Sequence, residues 1–508
     1  MAEVTRRGRN ARQTAPVARR PNYANLRNPF TPQTVFSEDE VAGLHDTALR
    51  VLENLGISIL LPEARDILGK SGATVVEDMV FFSRDMVAEA LRTAPRSIRL
   101  RAANPEFDQT YEPGALLFTA AGGCPNVSDR IRGRRPGSMD SFRDAIKLIQ
   151  GFDVVHKLPV SPEPQDIPIH LRHLATTEAQ LTMGDKLMTV YARGTGQVEQ
   201  AFALIREGLA LSDADWDSGT WASTVINSNS PRRLDIPMAQ GIIDFARAGQ
   251  MTIITPFCLA GAMAPVTVAG ALVLQHAEAL AAITLAQMVR PGAPVSYGGF
   301  SSNVDMKSGS PAFGTPEHLK MQLGAGQLAR HIGLPWRSAA GSASNIADAQ
   351  GAHENIMGLW GAVLAGANLV IHGAGWLEGG LTMGFEKFIC DVEALQTIAE
   401  LCKRPEADAA AMAYDAIAEV PPGGHFFAAA HTMERFDQAF YAPLNADLTN
   451  HGTWTANGAH TAEERATKVW QQVIADYRPP ANAGDIGERI APMLERFTKA
   501  GGAHPVSD

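Results

Sequence analysis

The side chains able to do chemistry in this chain fall in short stretches that follow apolar, β-branched runs. They are Gly122, Gly123, Cys124 and Asn126; Glu163 and Gln165; Arg193; Asn227, Asn229 and Ser230; Pro256, Phe257 and Cys258; Tyr297, Phe300, Ser301 and Asn303; Gly341, Ser342 and Ser344; His372, Trp376 and Glu378. Rings, amides, hydroxyls and glycines dominate the set. It contains no HExxH, no GxSxG and no carboxylate pair at acid/base spacing. Hydrolysis by general acid/base or by a bound metal is therefore not what the sequence advertises, and no metal site is expected. Rings attract quaternary ammonium groups through their quadrupole, and glycines let a large partner come close. The set suits a cationic organic ligand that must meet a bulky cofactor. Each ring taken singly packs a core or a loop as readily as it walls a cage.

These residues need a frame that gathers them. Apolar runs occur at 115–120, 152–160, 186–192, 223–228, 251–257, 293–300, 335–341 and 368–375. Segments of helical period follow at 139–150, 166–182, 196–211, 235–249, 265–290, 315–332, 346–366 and 383–402. Eight strands alternating with eight helices predict a (β/α)8 TIM barrel over 111–403, whose mouth at the carboxyl ends of the strands carries the chemistry. A doubly wound open sheet is the rival, but neither GxGxxG nor GxxxxGK[ST] sits at a strand–helix junction. Ahead of the barrel, 37–110 reads as an α+β cap, with Ser37 as the N-cap of its first helix and Gly56 past that helix's end. Residues 404–508 read as a C-terminal helical extension.

The net charge of −10 argues against nucleic-acid binding. The 265–290 run is broken by Gln275, His276, Glu278 and Gln287, so it reads as a buried helix and no membrane span is expected. Four widely spaced cysteines in so long a chain suit free thiols and a cytoplasmic location. Residues 1–36 begin with Arg6, Arg7, Arg9, Arg12, Arg19, Arg20 and Arg27 against the single acid Glu3 in the first thirty. They read as a disordered basic arm, with a transit peptide or a docking arm as alternatives.

Several segments together resemble the trimethylamine methyltransferase family, often called MttB: NSNSPRRLD at 227–235, the 245–281 stretch with AGAMAPVTVAGAL, QMVRPGAPVSYGGF at 287–300, DAQGAHE at 348–354, 364–382, and GGHFFAAAHTMERF at 423–436. The similarity runs from about 37 to about 478. It implies a (β/α)8 barrel that moves a methyl group from a methylated amine to the Co(I) corrinoid of a partner protein, with no cofactor held tightly by this chain and a homo-oligomeric assembly. Archaeal trimethylamine enzymes carry pyrrolysine near the end of the seventh strand. That position falls at Gly341 or Ser342, which the resemblance marks as the catalytic positions and which leave space where the long residue sits. An ordinary small residue there favours the branch resembling glycine betaine:corrinoid methyltransferases. In that reading Phe257, Tyr297, Phe300 and Trp376 face the cation, while Asn227, Arg193 and His372 hold a substrate carboxylate. Trimethylamine itself as substrate and a non-catalytic barrel that binds quaternary amines are the alternatives. A barrel lyase or aldolase would need a lysine at a strand end, whereas Lys186 stands at a strand start.

Overall fold

The computed structural model describes residues 23–506. Seven parallel strands form one sheet: β1 (Leu117–Ala120), β2 (Met188–Thr189), β3 (Ala222–Ile226), β4 (Met251–Ile254), β5 (Val295–Gly298), β6 (Trp336–Ala339) and β7 (Leu369–Ala374). Their hydrogen-bonded order is β1-β7-β6-β5-β4-β3-β2. The remaining gap between β1 and β2 is bridged by 154–158. There the His156 N–H donates to Phe118 O at 2.9 Å, and the Leu158 N–H donates to Leu187 O at 2.8 Å. The sheet therefore closes into a barrel.

This eighth stave, expected as a strand over 152–160, is irregular for a local reason. The Phe118 N–H donates to the His156 ring, at Nδ1, 3.0 Å away, where a ladder would use a backbone carbonyl. Pro159 has no N–H to continue the ladder. Burial holds the His156 ring neutral, with its pKa pushed down to about 4.

Eight helices alternate with the staves: α1 (Met139–Gln150), α2 (Arg172–Met183), α3 (Thr195–Gly208), α4 (Ile236–Arg247), α5 (Val268–Val289), α6 (Pro316–Ile332), α7 (Ala349–Leu364) and α8 (Phe385–Leu401). Most start at a side-chain cap of the expected kind, such as Asp235 on Met238 N and Thr315 on His318 N. Helix α5 is long and apolar enough to cross a membrane, but 78% of its apolar window is buried. The cap helices Glu38–Arg50 and Arg84–Thr93 lie across it. An apolar surface all round is what a helix sandwiched between two layers requires. Ser37 and Glu40 form a reciprocal cap on the first of those helices, which runs on as a π turn to Leu55 before Gly56 turns the chain at φ +64°.

The amino end of the barrel is sealed by a hairpin that sequence patterning does not reveal. Ile98–Leu100 pairs antiparallel with Gln109–Tyr111. Ile98, Leu100 and Tyr111 form one apolar cluster with Leu117, Leu187, Met251, Ile253, Leu369 and Ile371 from the barrel interior. The Tyr111 hydroxyl lies 2.6 Å from Ser296 Oγ. One end is plugged, so the carboxyl ends of the strands are left as the open mouth.

Residues 23–36, assigned above to a disordered arm, are fixed along the barrel. Tyr23 is 1% exposed. The Asn28 amide donates to Val363 O at 2.8 Å, and Gln327 accepts the Val35 and Phe36 N–H groups. The arginines misled because they precede this stretch: all but Arg27 lie within residues 1–22, outside the described residues. In the extension, Ala462–Asp476 packs on α8 and α1, and Ala483–Lys499 packs on α2 and α3. Between α8 and these helices the chain makes only short helical turns, with Phe427 and Phe440 exposed.

Candidate functional site

A cavity of about 400 Å³ opens at the carboxyl ends of the strands. Alternation along each strand decides which side chains reach it. Thr119, Thr189, Val225, Arg337 and Ile371 point inward and form its sides and floor. Six of the expected site residues line it: Arg193, Asn227, Phe257, Phe300, His372 and Trp376.

The rings make a connected group. Phe257 and Phe300 have centroids 5.1 Å apart, Phe300 and Trp376 5.5 Å, and His372 stacks on Trp376 at 4.7 Å. Phe313, from outside the strand set, stacks behind Phe300 at 5.2 Å. Trp376 is pinned by its Nε1–H, which donates to Gly122 O at 3.3 Å. His372 has φ +63°, a conformation that costs a non-glycine residue free energy and here turns its ring into the cavity. Its Nδ1 accepts the Gly122 N–H at 3.2 Å. Burial drives the His372 pKa well below the usual histidine value, so the ring is neutral.

Three expected residues stand elsewhere. Tyr297 faces the helix layer, is 0% exposed and lies 3.0 Å from His276 Nδ1 on α5 through its hydroxyl. It cannot face a ligand, because its neighbour Ser296 takes the inward position of β5 and a one-residue step reverses direction. Gly341 and Ser342, the expected catalytic positions, sit behind the ring wall. The Ser342 hydroxyl donates to Glu354 Oε2 at 2.7 Å, and the Gly341 N–H donates to Asn355 Oδ1 at 2.9 Å. Nor do they leave open space: a Cβ on Gly341 would lie 2.2 Å from Trp376 Cε3, so the indole fills the region a long side chain would need.

Loop anchors hold the wall from behind. Buried Glu278 on α5 accepts from Ser228, Ser230 and the Arg232 N–H at 2.5–2.7 Å, fixing the loop that carries Asn227. Both carboxylates in the sequence set are spent in ion pairs. Glu163 binds Arg193 and Arg172 at 2.5 Å each, and Glu378 binds Arg134 at 2.9 Å. Arg193 therefore reaches the cavity already neutralised, with its guanidinium over the Tyr191 ring. No Asp or Glu lines the cavity among the described residues.

Two cations went unnoticed in the sequence. Lys157 and Arg337 both line the cavity and are 6% and 2% exposed. Lys157 Nζ donates to Ser223 Oγ. The Arg337 guanidinium lies 5.4 Å from the Phe300 centroid, and its Nε and Nη1 have no hydrogen-bond partner among the described residues. Burial pushes the Lys157 pKa down to about 7 and that of Arg337 to about 9. The signal was present: each is a lone charge inside an otherwise apolar stave, at the parity that faces the barrel axis.

The chain is 33% identical over 467 residues to a glycine betaine methyltransferase of Desulfitobacterium hafniense, covering 92% of this chain and 97% of that one. It is 26% identical to the trimethylamine methyltransferase MttB2 of Methanosarcina mazei, covering 92% and 96%. The solved monomethylamine methyltransferase (MtmB) of Methanosarcina barkeri aligns over 89% of this chain and 88% of that one, at 11% identity and a TM-score of 0.48. The family model described as trimethylamine methyltransferase (MTTB) matches residues 4–502, and the chain belongs to that family.

Proposed function

We propose that this chain transfers a methyl group from a quaternary amine, glycine betaine foremost, to the Co(I) corrinoid of a separate partner protein. The observation that carries the reading is the ring-walled cavity without an acid at the open end of the barrel. A quaternary ammonium leaves as a neutral tertiary amine, with the electron pair of the broken C–N bond staying on nitrogen. No proton donor is needed, and the wall offers no carboxylic acid to act as one. Phe257 and Trp376 hold the onium by cation–π attraction and, with Phe300, keep water off the transferring methyl.

Cob(I)alamin supplies the nucleophile, and this chain binds and orients the amine for it. Four glycines at the rim support this reading by letting a flat macrocycle approach the backbone: Gly122, Gly123, Gly379 and Gly380 border the cavity. The test follows cobalamin absorbance after mixing the chain and a Co(I) corrinoid protein with glycine betaine, carnitine, proline betaine or trimethylamine. Methylation with glycine betaine and not with trimethylamine is the expected result. Methylation with none of them would leave a binding protein.

A further inference from the structure

The floor of the cavity holds positive charge without a counter-ion among the described residues. Arg337 projects inward from β6 with Nε and Nη1 unpartnered. Its Nη2 lies 3.5 Å from His372 Nε2, but this pair is not a bond. Nδ1 of the neutral His372 ring accepts the Gly122 N–H, so its proton is on Nε2, and two donors face each other. Lys157 has one hydroxyl partner for three donors. Arg193, the only other Lys or Arg in the lining among the described residues, is already paired with Glu163.

A buried guanidinium with two orphan donors is costly unless something completes it. A carboxylate seated between Arg337 and His372 would accept from the guanidinium and take the His372 Nε2–H as well. The same charge disfavours an occupant that is only a cation. An onium entering this cavity meets like charge at the floor, even with rings beside it, unless it brings its own anion.

We propose that Arg337, Lys157 and the Nε2–H of His372 form a carboxylate seat, so that the cavity selects a zwitterionic amine over a simple cation. The carboxylate lies at the floor, and the onium is turned toward Phe257 and Trp376 and the open mouth. This assignment rests on the reading of the cavity as a quaternary-amine site. It moves the carboxylate from Arg193 and Asn227 on the rim to the barrel axis.

The test is calorimetric titration of the full chain, with no corrinoid present, using glycine betaine, choline and tetramethylammonium. The unaltered chain is expected to bind glycine betaine roughly thirtyfold or more tighter than either cation. Arg337→Gln should lose that margin for glycine betaine while binding tetramethylammonium more tightly than the unaltered chain. A damaged fold cannot produce that gain. Lys157→Gln should shift both affinities the same way by a smaller factor. Equal binding of choline and glycine betaine by the unaltered chain overturns the seat, and so does unchanged glycine betaine binding by Arg337→Gln. If the preference for the zwitterion holds but no methyl reaches a Co(I) corrinoid, the transferase reading falls and the seat stands. Methyl transfer from choline as fast as from glycine betaine would sink the seat alone.

Discussion

Two regions of the molecule bury cations and treat them differently. Between the barrel wall and its helices, Lys186 donates to the carbonyls of Ile149, Phe152 and Val155 at 2.7–2.8 Å, and Lys387 is paired with Asp391 one turn further along α8. Asp391 also accepts the Gly375 N–H at 2.8 Å, so that network is closed on itself. Inside the barrel, Lys157 has a single hydroxyl and Arg337 has orphan donors. Burial alone therefore does not mark a site. What marks it is burial that the fold leaves electrically incomplete, at the end of the barrel that the hairpin does not plug.

The contrast is sharpest in stability. Asp391→Ala strips the counter-ion from a lysine that is 1% exposed and removes the acceptor of Gly375 N–H. A loss of about 3–5 kcal/mol in denaturant unfolding is expected. Gly341→Ala comes next, at about 2 kcal/mol in the same measurement, because φ is +113° there and the new Cβ collides with Trp376. It should also weaken amine binding, since the indole it displaces is part of the wall.

Arg337→Gln is expected to do the opposite of Asp391→Ala and leave stability unchanged or raised by about 1 kcal/mol, since it removes a desolvated charge that lacks an ion-pair partner. A loss as large as that of Asp391→Ala would place Arg337 among the satisfied cations and break the comparison. Lys157 adds a pH signature. It faces Ser223 in a cavity shared with Arg337 and the neutral His372, and its folded pKa of about 7 lies below the ordinary lysine value. Between those two values the unfolded chain holds a proton that the folded chain does not, so stability rises with pH from about 7 to about 10. Below pH 7 both states are protonated and the contribution is flat. Lys157→Met should remove that slope in urea midpoints measured across this range. The smallest effect belongs to Phe257→Leu, which should weaken tetramethylammonium binding by about 0.5–1 kcal/mol with little change in unfolding.

The alternation of apolar runs and helical segments made the barrel legible, because each stave and helix is local in sequence. Strand ends then placed Phe257, Phe300 and Trp376 at the mouth. Tyr297 failed by a single residue: a reading of strand ends without inward parity cannot separate it from Ser296. The sealing hairpin and the packing of Tyr23 rest on contacts distant in sequence, which no local pattern records. Lys157 and Arg337 were passed over because a lone charge within an apolar run reads as an interruption until the axis it points toward is known. The family resemblance drew attention to 341–342 as the place of a long residue in other members. It could not say that the wall behind that place is occupied.

That occupancy has a consequence for inheritance. Gly341 and Trp376 share one volume: the indole lies where a side chain on residue 341 would begin, and Gly380 presses on the same ring from another side, with a Cβ there 2.6 Å from Trp376 Cζ2. Neither glycine can be exchanged while the tryptophan stays as it is. A long residue at 341 is expected only where the indole is absent or displaced. Across relatives of this chain, positions 341, 376 and 380 should therefore change as one inherited unit, and mixed combinations should be rare.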